Sequence, residues 1–147
     1  MSRILVKKSL GLEGTLRVSG AKNAALPIIA ASLLCDGKCR IEEVPNLADI
    51  QIMCQLVQSL GAETVQGENF VEINSASLKN HVAPYDLVSK MRASFLVMGP
   101  LLAKLGKTRI SLPGGCPIGT RPVDLHLKGF AAMGADIASG HGYVEAK

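Results

Sequence analysis

The amino-acid sequence predicts an α/β (α+β) protein assembled from a repeated β-α-β-α-β-β unit. Three observations carry this expectation: an aliphatic composition, an alternation of helical and strand periodicities, and a resemblance of the chain to itself. Of the 147 residues, 48% are hydrophobic and 19% charged, while aromatics make up 3% and Trp is absent. Such a chain is not disordered, and its core must be built from Leu, Ile, Val, Ala and Met. Its length suffices for one ordinary domain with a core of its own.

The self-resemblance has two landmarks. Leu60-Gly61-Ala62-Glu63, Gly67 and Phe70-Val71-Glu72 recur 73 residues later as Met133-Gly134-Ala135-Asp136, Gly140 and Tyr143-Val144-Glu145. Gly37-Lys38-Cys39-Arg40-Ile41 recurs as Gly106-Lys107-Thr108-Arg109-Ile110 at an offset of 69. The difference of four places an insertion in the second copy, in the region of Pro113 to Arg121. A repeat of this size is one supersecondary unit that needs neighbours to bury its faces.

Each copy is expected to run through the same elements. Copy one opens with a strand, Gly14 to Ser19. An apolar helix follows, Asn23 to Cys35, matched by Ser89 to Lys104 in copy two. A Gly-Lys turn leads into a strand of alternating pattern, Cys39 to Val44 or Thr108 to Leu112. The next helix, Ala48 to Leu60 or Val123 to Met133, carries Ile52, Leu56 and Leu60 at four-residue spacing, which lines one face. Gly61 and Gly134 stand where a helix end favours a left-handed residue. Glu63–Gln66 with Phe70–Ile73, and Asp136–Ser139 with Tyr143–Glu145, then form hairpins across Gly67-Glu68-Asn69 and Gly140-His141-Gly142. The repeat units span about 14–76 and 82–147.

Composition excludes several function classes. The net charge of +4 mildly favours anionic ligands. No Lys/Arg run exceeds Lys7-Lys8 and few aromatics are available to stack on bases, which argues against nucleic acid as partner. The longest apolar runs, Ala24 to Cys35 and Ala93 to Ala103, are broken by Pro27 and Gly99-Pro100 and fall short of the roughly 20 residues of a membrane span. Met1 to Leu10 lacks the apolar core of a signal peptide, so a cytoplasmic protein is expected. The cysteines at 35, 39, 54 and 116 form no C-x-x-C pair, and His81, His126 and His141 lie far from paired spacing, which argues against zinc. In a reducing cytosol Cys35, Cys39 and Cys54 are expected to be buried and inert. Gly99 to Thr108 ends in Gly-Lys-Thr like a P-loop, but six residues rather than four separate its glycines, and the stretch is apolar helix.

Three segments are candidates for chemistry. The inserted loop, Ser111 to Asp124, runs through Gly114-Gly115-Cys116, which frees the backbone to approach a ligand, and ends at a helix start near Pro122. Amides at a helix start attract anions, and Arg121 offers a bidentate grip on phosphate. A thiol in that setting, Cys116, is expected to have a lowered pKa and to be reactive; the plainer alternative is a structural turn with an incidental cysteine. The second segment is Ser19-Gly20-Ala21-Lys22-Asn23, with Lys22 and Asn23 at the start of the first helix. Here the plainer alternative makes Asn23 a helix N-cap and Lys22 a solvated charge. The third, Lys90-Met91-Arg92-Ala93-Ser94, occupies the equivalent place in copy two.

Together these segments resemble the UDP-N-acetylglucosamine enolpyruvyl transferases. The strings that carry the resemblance are Ser-Gly-Ala-Lys-Asn-Ala-Ala-Leu-Pro at 19–27, Ala-Pro-Tyr-Asp-Leu-Val at 83–88, Met-Arg-Ala-Ser at 91–94, and Leu-Pro-Gly-Gly-Cys-Pro-Ile-Gly-Thr-Arg-Pro-Val-Asp-Leu-His at 112–126. The resemblance implies an inside-out α/β prism of two domains, each of three units. It places residues 1–20 with a second domain not contained here and makes 21–147 an incomplete first domain; the chain, ending at Lys147 without a capping element, reads as a piece of a longer one.

The implied reaction moves the enolpyruvyl group of phosphoenolpyruvate to the 3-hydroxyl of UDP-N-acetylglucosamine and releases phosphate. By this resemblance Cys116 is the proton donor, adds covalently to phosphoenolpyruvate and is the target of fosfomycin. Lys22 and Asn23 match positions that hold phosphoenolpyruvate and the sugar, Lys22 also stabilising the phosphate and carboxylate charges. Arg92 contacts substrate, and Arg121, Pro122, Val123, Asp124 and Leu125 hold the nucleotide sugar. No metal or organic cofactor is implied. The sister enzyme acting on shikimate 3-phosphate lacks the Gly-Gly-Cys loop. A non-catalytic piece that binds a nucleotide sugar is the alternative of another class. For the chain alone, no turnover is expected, and self-association through uncovered apolar surface.

Overall fold

The computed structural model describes residues 3–112 and 122–147. Residues 3–20 run without helix or strand into α1 (Lys22–Ala31), which tightens into a 3₁₀ turn at Ser32–Leu34. Then follow β1 (Lys38–Glu42), α2 (Ala48–Ser59), β2 (Glu63–Gln66) and β3 (Phe70–Asn74). The second unit has β4 (Val82–Ala83), α3 (Tyr85–Val88), a 3₁₀ helix (Arg92–Val97), α4 (Met98–Leu105), β5 (Thr108–Ser111), α5 (Asp124–Ala132), β6 (Ile137–Ser139) and β7 (Tyr143–Ala146).

The two units repeat each other in three dimensions. One sheet has the order β1-β3-β2 and the other β4-β5-β7-β6. In both, the strand after the apolar helix pairs antiparallel with the last strand of the hairpin: Ile41 faces Val71, and Ile110 faces Val144. The hairpins close alike, with the amides of Gly67 and Gly140 donating to the carbonyls of Phe70 and Tyr143, each at 2.9 Å. Beyond the ends of α2 and α5, Gly61 and Gly134 adopt φ of +107° and +97°, as their place after a helix requires. The outer faces repeat as well. The Arg40 guanidinium lies 3.6 Å from the centre of the Phe70 ring and 2.7 Å from Glu72, and Arg109 lies 3.9 Å from the Tyr143 ring and 3.4 Å from Glu145. Each sheet thus carries one cation–aromatic–acid brace across neighbouring strands.

A single aliphatic core joins the units. Its fully buried members include Ile29 and Leu33, Met53, Leu56 and Leu60, Ile73, Met98, Leu101 and Ile110. α1 packs against α2 and against the 3₁₀ helix Arg92–Val97, and α4 packs against the Ser32–Leu34 turn. No helix of the described residues is long and apolar enough to cross a membrane.

Three expectations need correction. Gly14–Ser19 is not a strand: residues 11–19 are all exposed and pair with no strand among the described residues. The alternation of Leu10, Leu12, Leu16 and Val18 suits a strand, but alternation supplies no partner, and these side chains are 81% exposed or more. Only the second unit has its opening strand, β4, which runs parallel to β5. The single helix expected over Ser89–Lys104 is broken. Met91 is extended (φ −150°, ψ 124°), and the turns before Pro100 are 3₁₀. An α-helical turn there would drive the proline ring into the carbonyl four residues back, that of Leu96. Finally, Cys35 is exposed and Cys39 half-buried; of these three cysteines only Cys54 is buried.

Candidate active site

The chain enters α1 through Gly20 and Ala21. Ala21 is the N-cap, and its carbonyl accepts from the amides of Ala24 and Ala25. Asn23 is therefore not a cap but an exposed residue of the first helical turn. Amides of that turn have no acceptor within the helix and point outward with the positive end of its dipole. Lys22 is no free solvated charge either. Its Nζ donates to Oδ2 of Asp49 at 2.6 Å, with both side chains a third or more exposed. Asp49 lies in the first turn of α2, where a carboxylate also suits the helix dipole. Sequence reasoning missed Asp49. An acid near a helix start is visible in the sequence, but a partner 27 residues away is not.

Gly20 fixes how the chain reaches Lys22. It lies on the backbone of Glu43, a non-glycine residue in the left-handed region at φ +57°. A Cβ on Gly20 would fall 1.6 Å from the Glu43 carbonyl oxygen. Gly20→Ala is therefore expected to displace this crossing and to destabilise the fold by about 1–3 kcal/mol. Chemical denaturation of the variant measures it, and an unchanged midpoint would show that the contact yields freely.

The second basic motif meets the end of the loop motif. Arg92 opens its 3₁₀ helix, and its Nη2 donates to the carbonyl of Pro122 at 2.9 Å. Val123 is buried and caps α5, whose first residue is Asp124. Leu125, 76% exposed, projects from the helix. The Pro122–Leu125 segment is thus anchored by one apolar side chain and one arginine, with Asp124 and Leu125 facing solvent. One turn on, the His126 ring lies tilted against Phe95 with centroids 5.7 Å apart, a second tie between α5 and the 3₁₀ helix. Cys116 and Arg121 lie outside the described residues.

The structure therefore brings Arg92 onto Pro122, and sets Lys22 and Arg92 at the starts of two elements packed on one another. Each of these starts carries a cationic side chain, and the first turn of α1 adds outward-facing amides, groups suited to substrates carrying phosphate and carboxylate.

The chain is similar to known proteins over nearly its whole length. The sequence profile of the family described as EPSP synthase (3-phosphoshikimate 1-carboxyvinyltransferase) matches residues 6–147. Over 99% of its own length the chain is 54% identical to UDP-N-acetylglucosamine 1-carboxyvinyltransferase 1 of Caldanaerobacter subterraneus and 56% identical to UDP-N-acetylglucosamine 1-carboxyvinyltransferase of Desulfosudis oleivorans. It spans 35% of the length of each. The crystal structure of the enolpyruvyl transferase NikO from Streptomyces tendae matches with a TM-score of 0.78 over 92% of this chain and 30% of that one. At 20% identity that likeness speaks for the fold alone. With all but its first five residues covered by one family profile, the chain belongs to the EPSP synthase family of enolpyruvyl transferases.

Proposed function

We propose that this chain is part of an enzyme that transfers the enolpyruvyl group of phosphoenolpyruvate to the 3-hydroxyl of UDP-N-acetylglucosamine, an early step in building peptidoglycan. The observation that carries the reading is the bond of one basic motif to the loop's end, Arg92 to Pro122, while the other, Lys22, opens the helix α1 that packs on the 3₁₀ helix of Arg92. Relatives named for this reaction, 53–56% identical, support the choice of acceptor. The Gly-Gly-Cys string at 114–116 favours it over shikimate 3-phosphate.

The chemistry assigns each group a task. Protonation of the phosphoenolpyruvate methylene develops cationic character at the neighbouring carbon, which the sugar hydroxyl attacks. The hydroxyl gives up its proton as it adds, and the adduct then loses phosphate and one proton of the newly formed methyl group, restoring the double bond. Cys116 delivers the first proton and is the group that fosfomycin alkylates. Lys22 and Asn23 hold phosphoenolpyruvate and the sugar, Lys22 stabilising the phosphate and carboxylate charges, Arg92 contacts substrate, and Arg121–Leu125 seat the nucleotide sugar. Residues 1–20 pack with the remainder of the enzyme, a role supported by their exposed, alternating apolar side chains.

The test is phosphate release by the full-length protein. Turnover is expected with phosphoenolpyruvate and UDP-N-acetylglucosamine, and turnover with shikimate 3-phosphate instead would overturn the acceptor. The 147-residue chain by itself is expected to give none, because it holds about a third of the relatives' length, and to sediment as more than a monomer. The groove between α4 and α5, lined by Leu102, Ala103, Phe130 and Met133, is one apolar surface that would drive this.

A further inference from the structure

The turn between the Ser32–Leu34 segment and β1 holds two cysteines that the proposed reaction does not use. Cys35 ends the 3₁₀ turn in an extended conformation (φ −72°, ψ 148°), the chain reverses through Gly37 at φ +143°, and Cys39 is the second residue of β1. This path brings the Cys39 thiol back beside the thiol of Cys35. Cys35 is exposed and Cys39 half-buried, so the pair is open to small solutes from one side.

The turn is held rather than loose. The Gly37 carbonyl accepts from the Ser75 amide at 3.3 Å, and the Cys35 carbonyl accepts from both the Ser75 hydroxyl and the Lys104 ammonium. Lys104 comes from α4 in the other unit. Its Nζ also lies 3.2 Å from Ser75 Oγ and 3.3 Å from Asp36 Oδ1. One lysine thus clasps the cysteine turn across the two units.

We propose that Cys35 and Cys39 form a reversible redox dithiol that closes an intramolecular disulfide when the protein meets a peroxide. The exposed Cys35 thiolate attacks one peroxide oxygen; the O–O bond breaks, Cys35 becomes a sulfenic acid, and hydroxide leaves and takes up a proton. The Cys39 sulfur then attacks the sulfenic sulfur, giving up its proton as the S–O bond breaks and a second water departs. Two thiols are oxidised by two electrons and one peroxide is reduced to two waters. A small thiol reverses the bond by exchange. Exposure assigns the first attack to Cys35 and the half-buried position gives Cys39 the resolving role, and the nearby Cys35 thiol, with burial second, holds the Cys39 thiol above its ordinary range.

The test uses the protein treated with hydrogen peroxide, then unfolded, alkylated and digested with trypsin. Lys38 lies between the two cysteines, so the reduced chain yields Asn23–Lys38 and the dipeptide Cys39-Arg40 as separate products. The expected result is an intact mass lower by two hydrogen atoms, with these two peptides joined and released by dithiothreitol. Cys35→Ser and Cys39→Ser should each abolish the joined product, and in Cys39→Ser the sulfenic acid at Cys35 should become trappable by dimedone. Cys54 is the internal control, since burial pushes its thiol up to about 11 and it should be alkylated only after unfolding. Free Cys35 and Cys39 after a peroxide dose that oxidises small thiols, or a bond from either one to Cys116 or to a second molecule, would overturn the proposal.

Discussion

Replacing Lys22 with alanine is expected to lower kcat/KM of the full-length enzyme by about 10²–10³, the usual loss on removing one preorganised donor from a developing charge. Structurally the change is mild. The Lys22–Asp49 pair is partly solvated, with 40% and 34% of the side chains exposed, and such pairs contribute less than about 1 kcal/mol to folding. The two roles therefore separate in one experiment. A large loss of kcat/KM for phosphoenolpyruvate beside an unchanged melting temperature would identify a substrate-facing ammonium. Unchanged kinetics would reduce Lys22 to a strap between α1 and α2. Lys22→Arg keeps the charge but offers a planar fork where a compact ammonium sat, so partial recovery is expected.

Cys116→Ala is expected to cost about 10²–10⁴ in kcat, the usual contribution of a positioned general acid. An enol phosphate is unreactive until its methylene carbon is protonated, and carbon protonation by water is slow. Cys116→Ser is expected to recover little, since an aliphatic hydroxyl is a far weaker acid than a thiol. Two readouts isolate the acid role from a general loss of fold. In deuterated water with UDP-N-acetylglucosamine present, the parent enzyme should exchange deuterium into the phosphoenolpyruvate methylene, and the alanine variant should not. Fosfomycin should add to the parent and leave Cys116→Ala unmodified. Exchange at the parental rate in the alanine variant would move the acid to another residue.

The parts of the fold legible in the sequence were those whose determinants are local. α2 follows from Ile52, Leu56 and Leu60 on one face and stops before Gly61, and β2 and β3 were placed to within one residue by alternation around Gly67. The second unit could be read from the first because its turn residues recur. What failed depended on partners distant in sequence. Alternation over 10–18 describes a strand face, yet no ladder forms without an edge to join, and these side chains stay exposed. The apolar run from Ser89 to Lys104 looked like one helix because its hydrophobicity outweighed Pro100 and the extended Met91. The cysteine turn went unnoticed because buried is the average state of a cysteine, while the position of this pair is set by Gly37, Ser75 and Lys104. The candidate site was legible as strings of residues, not as geometry. Neither the pairing of Lys22 with Asp49 nor that of Arg92 with Pro122 can be counted out along the chain.

The paired braces, Arg40 with Phe70 and Glu72 and Arg109 with Tyr143 and Glu145, bear on how such a protein can change. The two units keep the same brace on their sheets while the connectors between the sheet and the following helix differ in length. In the first module that connector is Glu43–Leu47; in the second it runs from 112 to 123, and the helix after it is 9 residues long instead of 12. The end of the longer connector still serves the scaffold, with Val123 buried and Pro122 bonded to Arg92. A brace that lies wholly within the sheet leaves the connector's length free to differ, which is the simplest physical reason why two like sheets are followed by connectors of such different length.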